Sequence, residues 1–230
     1  MNLRLDWCSH EAAKYAVENW HYSGTMPAPP VIKIGVWEDN VFIGCVLFSR
    51  GNTTNLGTAY GLTMQEVCEL SRIALTKHAN SVTRVISVAL KMLHKKEKGL
   101  RLVVSFADTN EGHHGGIYQG SNWVYCGVTN GGYKFIYKGI EYHSRQVSSN
   151  GINIQFGNLR RVPKISNCER IPQKPKHRYL YPLDDAMRAQ IAPLAKPYPK
   201  RGTGETDNAA HSYAQIEGAS PIVPLLNHGS

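Results

Sequence analysis

Apolar and polar residues alternate from Leu3 to Cys8, which predicts a first strand. Ser9 then suits a helix N-cap, with Glu11 in the first turn where the helix dipole favours an acid. Ala12, Ala16 and Trp20, with Ala13 and Val17 beside them, repeat at helical spacing, and the helix gives way at Trp20-His21-Tyr22-Ser23-Gly24. A loop from Thr25 to Pro30 is stiffened by prolines. Val31 to Trp37 and Val41 to Phe48 flank Glu38-Asp39-Asn40 as an antiparallel hairpin. After a polar loop from Asn52 to Leu62, the run Glu66 to Leu75 predicts another strand. Asn80 or Ser81 caps the most clearly amphipathic helix, with Val82, Val85, Ile86, Ala89, Leu90 and Leu93 on one face, lysines near its end and Gly99 to stop it.

The stretch Arg101 to Gly127 organises the rest. Leu102, Val103, Val104 and Phe106 read as a buried strand that breaks at Ala107-Asp108-Thr109-Asn110, where short polar side chains suit a helix start. A short helical or turn segment carries His113, His114 and Tyr118, and Trp123 to Cys126 predicts the next strand. One strand thus delivers a carboxylate, two imidazoles and a phenol to its C-terminal end, where open α/β sheets bind ligands. Tyr133 to Tyr137 and Ile140 to Val147 are two more strand-like pieces. The segment up to Tyr181 is proline-rich with little periodicity; Asp184 or Asp185 then caps a short helix with Met187, Ile191 and Leu194 on one face. These elements predict an α/β (α+β) fold. They divide the chain into a catalytic domain over 1–150, a basic extension over 151–195 and a disordered tail over 196–230.

Charge sharpens this picture. The net +9 is concentrated in residues 151–201, which hold eleven Lys and Arg against three acids, or +8. Such a segment implies a polyanion, most often nucleic acid, although a solvated basic tail has the same composition. Arg160, Arg161, Lys164, Lys174, Lys176 and Arg178, with Tyr179 and Tyr181 nearby, are candidates for contacts to a DNA backbone. No stretch is long and apolar enough for a membrane span, and the N-terminus lacks a secretory apolar core, so a cytoplasmic protein is expected. The five cysteines are scattered without CxxC or zinc-type spacing, which predicts buried thiols.

The element order resembles the GNAT-type acyltransferase fold, in which two central strands splay around an acyl donor. Gly115-Gly116-Ile117-Tyr118, followed by Trp123 and Gly127, looks like its helix-to-strand turn; the resemblance implies that Tyr118 protonates a leaving group. The glycine-rich pyrophosphate cradle of that family should precede the long helix, but Thr76-Lys-His-Ala-Asn-Ser81 holds no glycine. A closer resemblance spans most of residues 3–201. The blocks WCSHEAAKYAVENWHYSG, IGVWEDNVFIG, YGL…EVCELSRIALT, SFAD…GHHGGIYQ and KHRYLYPLDDAMRAQIAPL resemble the phage Mom family of DNA-modification proteins. The resemblance implies a GNAT-like mixed central sheet flanked by helices. It also implies conversion of adenine in double-stranded DNA to N6-carbamoylmethyladenine, which shields phage DNA from host restriction in the host cytoplasm.

An enzyme that acts on the adenine amine needs a base or orienting acceptor and a base taken out of the stack, because the amine lone pair is delocalised into the ring. Asp108 is the first candidate for the acceptor of the N6 proton; a bare helix cap is its alternative role. Tyr118 is the candidate acid or donor positioner, against a half-buried core tyrosine. His21 and Tyr22 stand together, with His21 either a base or a metal ligand with Asp108. Arg72 could hold a carboxyl, a phosphate or a developing oxyanion, unless it pairs with Glu69 or Glu66. Ser23, Tyr60, Glu69, His113 and His114 complete the expected substrate contacts, with Tyr60 stacking on a base.

The group –CH2–CO–NH2 has the atoms of glycinamide. Acetyl-CoA supplies two carbons and no nitrogen, whereas glycyl-tRNA supplies every atom, so both stand as donors, and a metal ion such as iron is a further cofactor the family raises. Two other functions remain in view: an acetyl-CoA-dependent N-acetyltransferase acting on a protein or small amine, and a non-catalytic DNA-binding module.

Overall fold

The structure, a computed structural model, describes residues 1–51, 53–155 and 157–200. Its first strands are β1 (Leu3–Trp7), β2 (Val31–Glu38), β3 (Val41–Ser49), β4 (Val67–Leu75), β5 (Leu102–Ala107) and β6 (Val124–Val128). The later ones are β7 (Tyr133–Tyr137), β8 (Ile140–His143), β9 (Ile152–Gln155), β10 (Asn158–Arg161), β11 (Glu169–Pro172) and β12 (His177–Pro182). The helices are α1 (His10–Trp20), α2 (Val82–Lys96), α3 (Gly116–Gln119) and α4 (Asp185–Ile191). The fold is α+β with a large mixed sheet. Seven strands lie in the order β1-β2-β3-β4-β5-β12-β6, β11-β7-β8 form a second sheet, and β9 and β10 pair as a hairpin.

Local chemistry accounts for the element starts. Ser9 caps α1 by accepting from the Ala12 N–H at 3.1 Å, and Ser81 caps α2 by accepting from Arg84. Asp39 and Asn40 take positive φ in the β2–β3 turn, a backbone suited to a tight hairpin. At Gly44, with φ of +142°, a Cβ would sit 1.9 Å from the Ala74 carbonyl oxygen, so only glycine lets β3 approach β4 there.

Alternating side chains divide the core between the two faces of the sheet. Val46, Phe48 and Val103 pack with Val85, Ile86, Ala89 and Leu90 of α2 and with Tyr118, Trp123 and Tyr179. On the opposite face Cys45 and Leu47 meet α1 through Ala13, Ala16 and Val17, while Leu102, Val104 and Leu180 meet α4 through Met187 and Ile191. The thiols of Cys8 and Cys68 are pushed up by burial, to about 11 and about 12. Of the five thiols expected to be buried, Cys45 and Cys68 are, while Cys8, Cys126 and Cys168 are half-buried.

Every neighbouring pair in the large sheet is antiparallel except β4 and β5. Those two pair only through Val67–Leu102, Cys68–Val103 and Glu69–Val104. Beyond that level β4 continues along β3, with Arg72 opposite Leu47, whereas β5 continues along β12, with Ser105 opposite Tyr179 and Ala107 opposite His177. The sheet therefore opens between Leu70 and Ser105, and this opening positions the site.

The segment read as irregular up to Tyr181 contains β12, a central strand of the sheet. Its Tyr179 and Leu180 are both fully buried, on opposite faces, so the strand shows no apolar–polar alternation to read. The first residues of the segment expected to be disordered from 196 onward are tied to the fold. The Lys196 N–H donates to Tyr125 O at 2.8 Å and the Tyr198 hydroxyl to Trp123 O at 2.6 Å; positions 201–230 lie outside the described residues.

Candidate active site

The mouth of the opening is lined from β4 by Arg72, from the end of β5 by Asp108, and from the end of α1 by His21 and Tyr22. Its floor is a hydrogen-bonded plug. Ser105 Oγ lies 2.9 Å from the Leu70 carbonyl and 2.8 Å from the Tyr118 hydroxyl. A carbonyl only accepts and serine has one proton, so Ser105 donates to Leu70 and Tyr118 donates to Ser105. Tyr118 is 7% exposed, packs its ring against Trp123 and Tyr179 at about 5 Å, and burial raises its pKa above the usual phenol value. This is a core tyrosine with its proton committed. We expect Tyr118→Phe to cost about 1 kcal/mol in denaturant unfolding, with turnover close to wild type.

Asp108 is the N-cap of a 3-10 turn over Thr109–Glu111: its Oδ1 accepts from the Asn110 N–H at 3.0 Å and the Asn110 amide at 2.9 Å. Its Oδ2 takes the Lys176 ammonium at 2.6 Å, and the side chain is 12% exposed. Burial pushes the Asp108 pKa up, but Lys176 and Asn110 outweigh it and hold the carboxyl below its usual range. The capping role and the ionised carboxylate therefore coexist. Lys176, expected on a DNA backbone, is the ion-pair partner of Asp108. The Lys174 N–H donates to Asn110 Oδ1 at 3.2 Å, which helps hold this loop.

His21 caps α1 through its backbone N–H to Val17 O, and the ring is 8% exposed. The Ser23 N–H donates to His21 Nδ1 at 3.1 Å, with Ser23 Oγ 2.8 Å from the same atom, so Nδ1 accepts and Nε2 carries the proton. Burial, with the charges of Arg72 and His113, pulls the His21 pKa down to about 3. His21 is therefore a neutral, weakly basic ring that orients its neighbours. The unfolded chain protonates this histidine near pH 6.5 and the folded chain only near 3, so stability is complete above 6.5 and falls as pH drops towards 3. In urea titrations across that window, His21→Gln is expected to flatten the slope.

Tyr22 stacks on His21 with ring centroids 4.3 Å apart and meets His113 edge-on at 5.7 Å. Its ring remains 41% exposed, while desolvation of its hydroxyl, reinforced by Asp108, raises its pKa to about 12. Arg72 opposes that shift, and Glu111 and Glu69 add to it, so all five groups share one electrostatic environment. Arg72 is held by backbone carbonyls, donating from Nη1 to Ser71 O at 2.7 Å and from Nε to Thr25 O at 3.2 Å.

A model of the Mom protein family matches residues 2–200 of this sequence. The chain belongs to the Mom protein family. A relative called methylcarbamoylase mom, from Escherichia phage Mu, is 27% identical over 207 residues, covering 86% of this chain and 84% of the relative.

Within this Mom-family fold, His21, Tyr22, Ser23, Glu69, Arg72, Asp108 and His113 come together, with Tyr118 beneath them. Other expected contacts lie elsewhere. His114 is buried, and its carbonyl accepts from the Tyr179 hydroxyl at 2.6 Å. Tyr60 lies on the opposite face, in a cavity of about 360 Å³ lined also by Cys126, Arg178 and Lys196. Arg178 hydrogen-bonds Tyr60 there, so neither residue reaches the mouth. Arg160, Arg161 and Lys164 are exposed on or beside the β9–β10 hairpin. Lys176 carried no sequence signal as a site residue beyond its charge.

Two cofactor expectations meet specific geometry. Among the described residues, no three His, Cys, Asp or Glu side chains gather as a metal-holding group, so no step is routed through iron. At the entrance to α2, Glu38 accepts from the Ala79 N–H at 2.9 Å, the Asn80 N–H at 2.6 Å and the Asn80 amide at 2.7 Å. An internal carboxylate thus takes backbone N–H groups that would otherwise suit a phosphate.

Proposed function

We propose that this protein is a DNA-modifying transferase that converts adenine to N6-carbamoylmethyladenine and so protects phage DNA from host restriction. The observation that carries this reading is the mouth itself, where a paired carboxylate, an arginine and an exposed tyrosine face converge in a chain of the Mom family. The relative's name, methylcarbamoylase, agrees with a carbamoylmethyl product.

In this reading the adenine leaves the DNA stack and lies on the open face of Tyr22, whose other face is backed by His21. Asp108 accepts a hydrogen bond from the N6 amine, aligning its lone pair with the donor, and Lys176 keeps the carboxylate ionised. Arg72 faces the donor carbonyl and stabilises the developing oxyanion. Tyr22 adds its hydroxyl at the same mouth, and Tyr22→Phe is expected to slow turnover about 10-fold to 100-fold.

The donor in this reading is a glycyl ester such as glycyl-tRNA. The N6 nitrogen attacks the ester carbonyl, an N–C bond forms, the C–O bond breaks, and the N6 proton passes to the leaving hydroxyl. The glycyl amine then attacks C6 through a five-membered ring and the original C6–N6 bond breaks. The result is C6–NH–CH2–CO–NH2 with no redox step, and the original N6 becomes the amide nitrogen. Glu38 at the entrance to α2 favours this donor over acetyl-CoA, because it occupies N–H groups suited to a pyrophosphate.

The test supplies purified protein with duplex DNA and either glycyl-tRNA or acetyl-CoA, with adenine labelled with nitrogen-15 at N6. Carbamoylmethyladenine carrying the label in its terminal amide, formed only with glycyl-tRNA, is the expected result. Product formed with acetyl-CoA alone, or label retained on the ring-attached nitrogen, would overturn the donor and its rearrangement.

A further inference from the structure

The β9–β10 hairpin is the part of the fold that the chemistry above leaves unused. In its register Leu159 lies opposite Ile154 and Arg161 opposite Ile152, which places these four residues on one face. That face is bare: Ile152 is 46% exposed, Ile154 69% and Leu159 74%. Three large aliphatic side chains side by side on a two-stranded ribbon mark an interaction surface rather than scattered surface residues.

The ribbon does not hang free. Ser148 and Lys164 bridge at its base, the Val162 N–H donates to Gly151 O at 3.0 Å, and the Ile165 N–H donates to Ser148 O at 3.0 Å. Asn153, on the other face, donates its amide to the Arg145 carbonyl. The His143–Arg145 turn follows β8, which pairs with β7; β7 pairs in turn with β11, and the chain leaving β11 runs through Lys174, bonded to Asn110, to Lys176, the partner of Asp108. The apolar face therefore projects from a clamped stalk joined to the small sheet whose β11 leads into the Asp108–Lys176 pair.

Charge identifies the occupant. From Ser144 to Cys168 the sequence carries Arg145, Arg160, Arg161 and Lys164 and no acid. An apolar ridge edged by arginines matches the way proteins wedge aliphatic side chains between base steps of the minor groove while cations hold the flanking phosphates. We propose that the β9–β10 ribbon enters the minor groove of duplex DNA and presses Ile154 and Leu159 against a base step, opening the stack so that a neighbouring adenine reaches Tyr22. This rests on the DNA-modification reading and adds the element that opens the duplex.

Duplexes carrying 2-aminopurine near the target adenine report unstacking by fluorescence, and turnover is compared on duplex and single-stranded DNA. The wild-type protein is expected to raise the fluorescence severalfold. I154S/L159S, whose substitutions are on the surface, should unfold at the wild-type temperature and bind duplex within a few-fold of wild type. It should lose the fluorescence rise and most duplex turnover, yet keep single-strand turnover. R160Q/R161Q should reduce the slope of log affinity against log salt by about 2. A variant lacking both aliphatic side chains that still unstacks and modifies duplex at the wild-type rate would overturn the wedge, as would an unchanged salt slope in R160Q/R161Q. A wild-type protein that modifies adenine in both DNA forms without unstacking the duplex would overturn the wedge alone. Failure to modify either form would remove the DNA reading and the wedge with it.

Discussion

Asp108→Asn is expected to lower the rate of adenine modification by about 10³-fold, the scale set by loss of a positioned acid–base group, while the protein stays folded. Asparagine keeps an oxygen for the Asn110 N–H, so the turn after β5 survives, but it removes the charge that faces both Lys176 and the incoming amine. A second variant separates the carboxylate from its partner. Lys176→Gln leaves Asp108 in place but removes the main force holding its pKa down, so the carboxyl protonates at a higher pH. The acid limb of the activity profile is expected to move upwards in Lys176→Gln, with the plateau rate at neutral pH much less affected than in Asp108→Asn. An unshifted acid limb would show that the Asp108 carboxylate is not the group that titrates in the reaction.

Glu38→Ala is expected to lower unfolding stability by about 3 kcal/mol, because it leaves the Ala79 and Asn80 N–H groups without the charged acceptor they now share. Burial alone would raise the Glu38 pKa; the backbone N–H groups of Ala79 and Asn80 and the Asn80 amide reverse that and hold it low. A depressed carboxyl stabilises the fold at pH values above the unfolded pKa and loses that contribution as pH falls through the folded one. Wild-type stability should therefore decline on acidification below about pH 4.5, and Glu38→Gln should remove the part of that decline due to this residue. Guanidinium titrations over that range measure both effects. The clamp has a structural meaning too: it joins the end of β2 to the start of α2 without glycine and satisfies N–H groups at a helix entrance internally.

Much of the fold was legible where one face of an element meets the core and the other meets water. β1, α1 and α2 show that contrast, with the caps Ser9 and Ser81 at the expected positions, whereas β2 and β3, buried on both faces, were legible as apolar runs flanking the Glu38-Asp39-Asn40 turn. β12 escaped because its central residues are buried on both sides and its ends are basic, so charge masked a core strand. The site was legible as a set of residue types at strand and helix ends, and His21, Tyr22, Arg72 and Asp108 do converge. Their roles were less legible, because roles depend on partners distant in the chain. Lys176 reaches Asp108 only because β12 runs antiparallel to β5, with His177 opposite Ala107. Tyr118 lies in the floor of the site because its hydroxyl meets Ser105, two residues before the end of β5. Arg178 faces away from the mouth because successive strand residues point to opposite faces, and Tyr60, on the 3-10 turn Thr58–Tyr60, packs beside it there.

The most direct measurement is mass spectrometry of nucleosides from the DNA of cells expressing this protein, beside cells expressing the Asp108→Asn variant. The account predicts a deoxyadenosine heavier by one carbamoylmethyl group in the first sample and its absence from the second. Unmodified deoxyadenosine in both samples, with soluble and folded protein present in each, would contradict it.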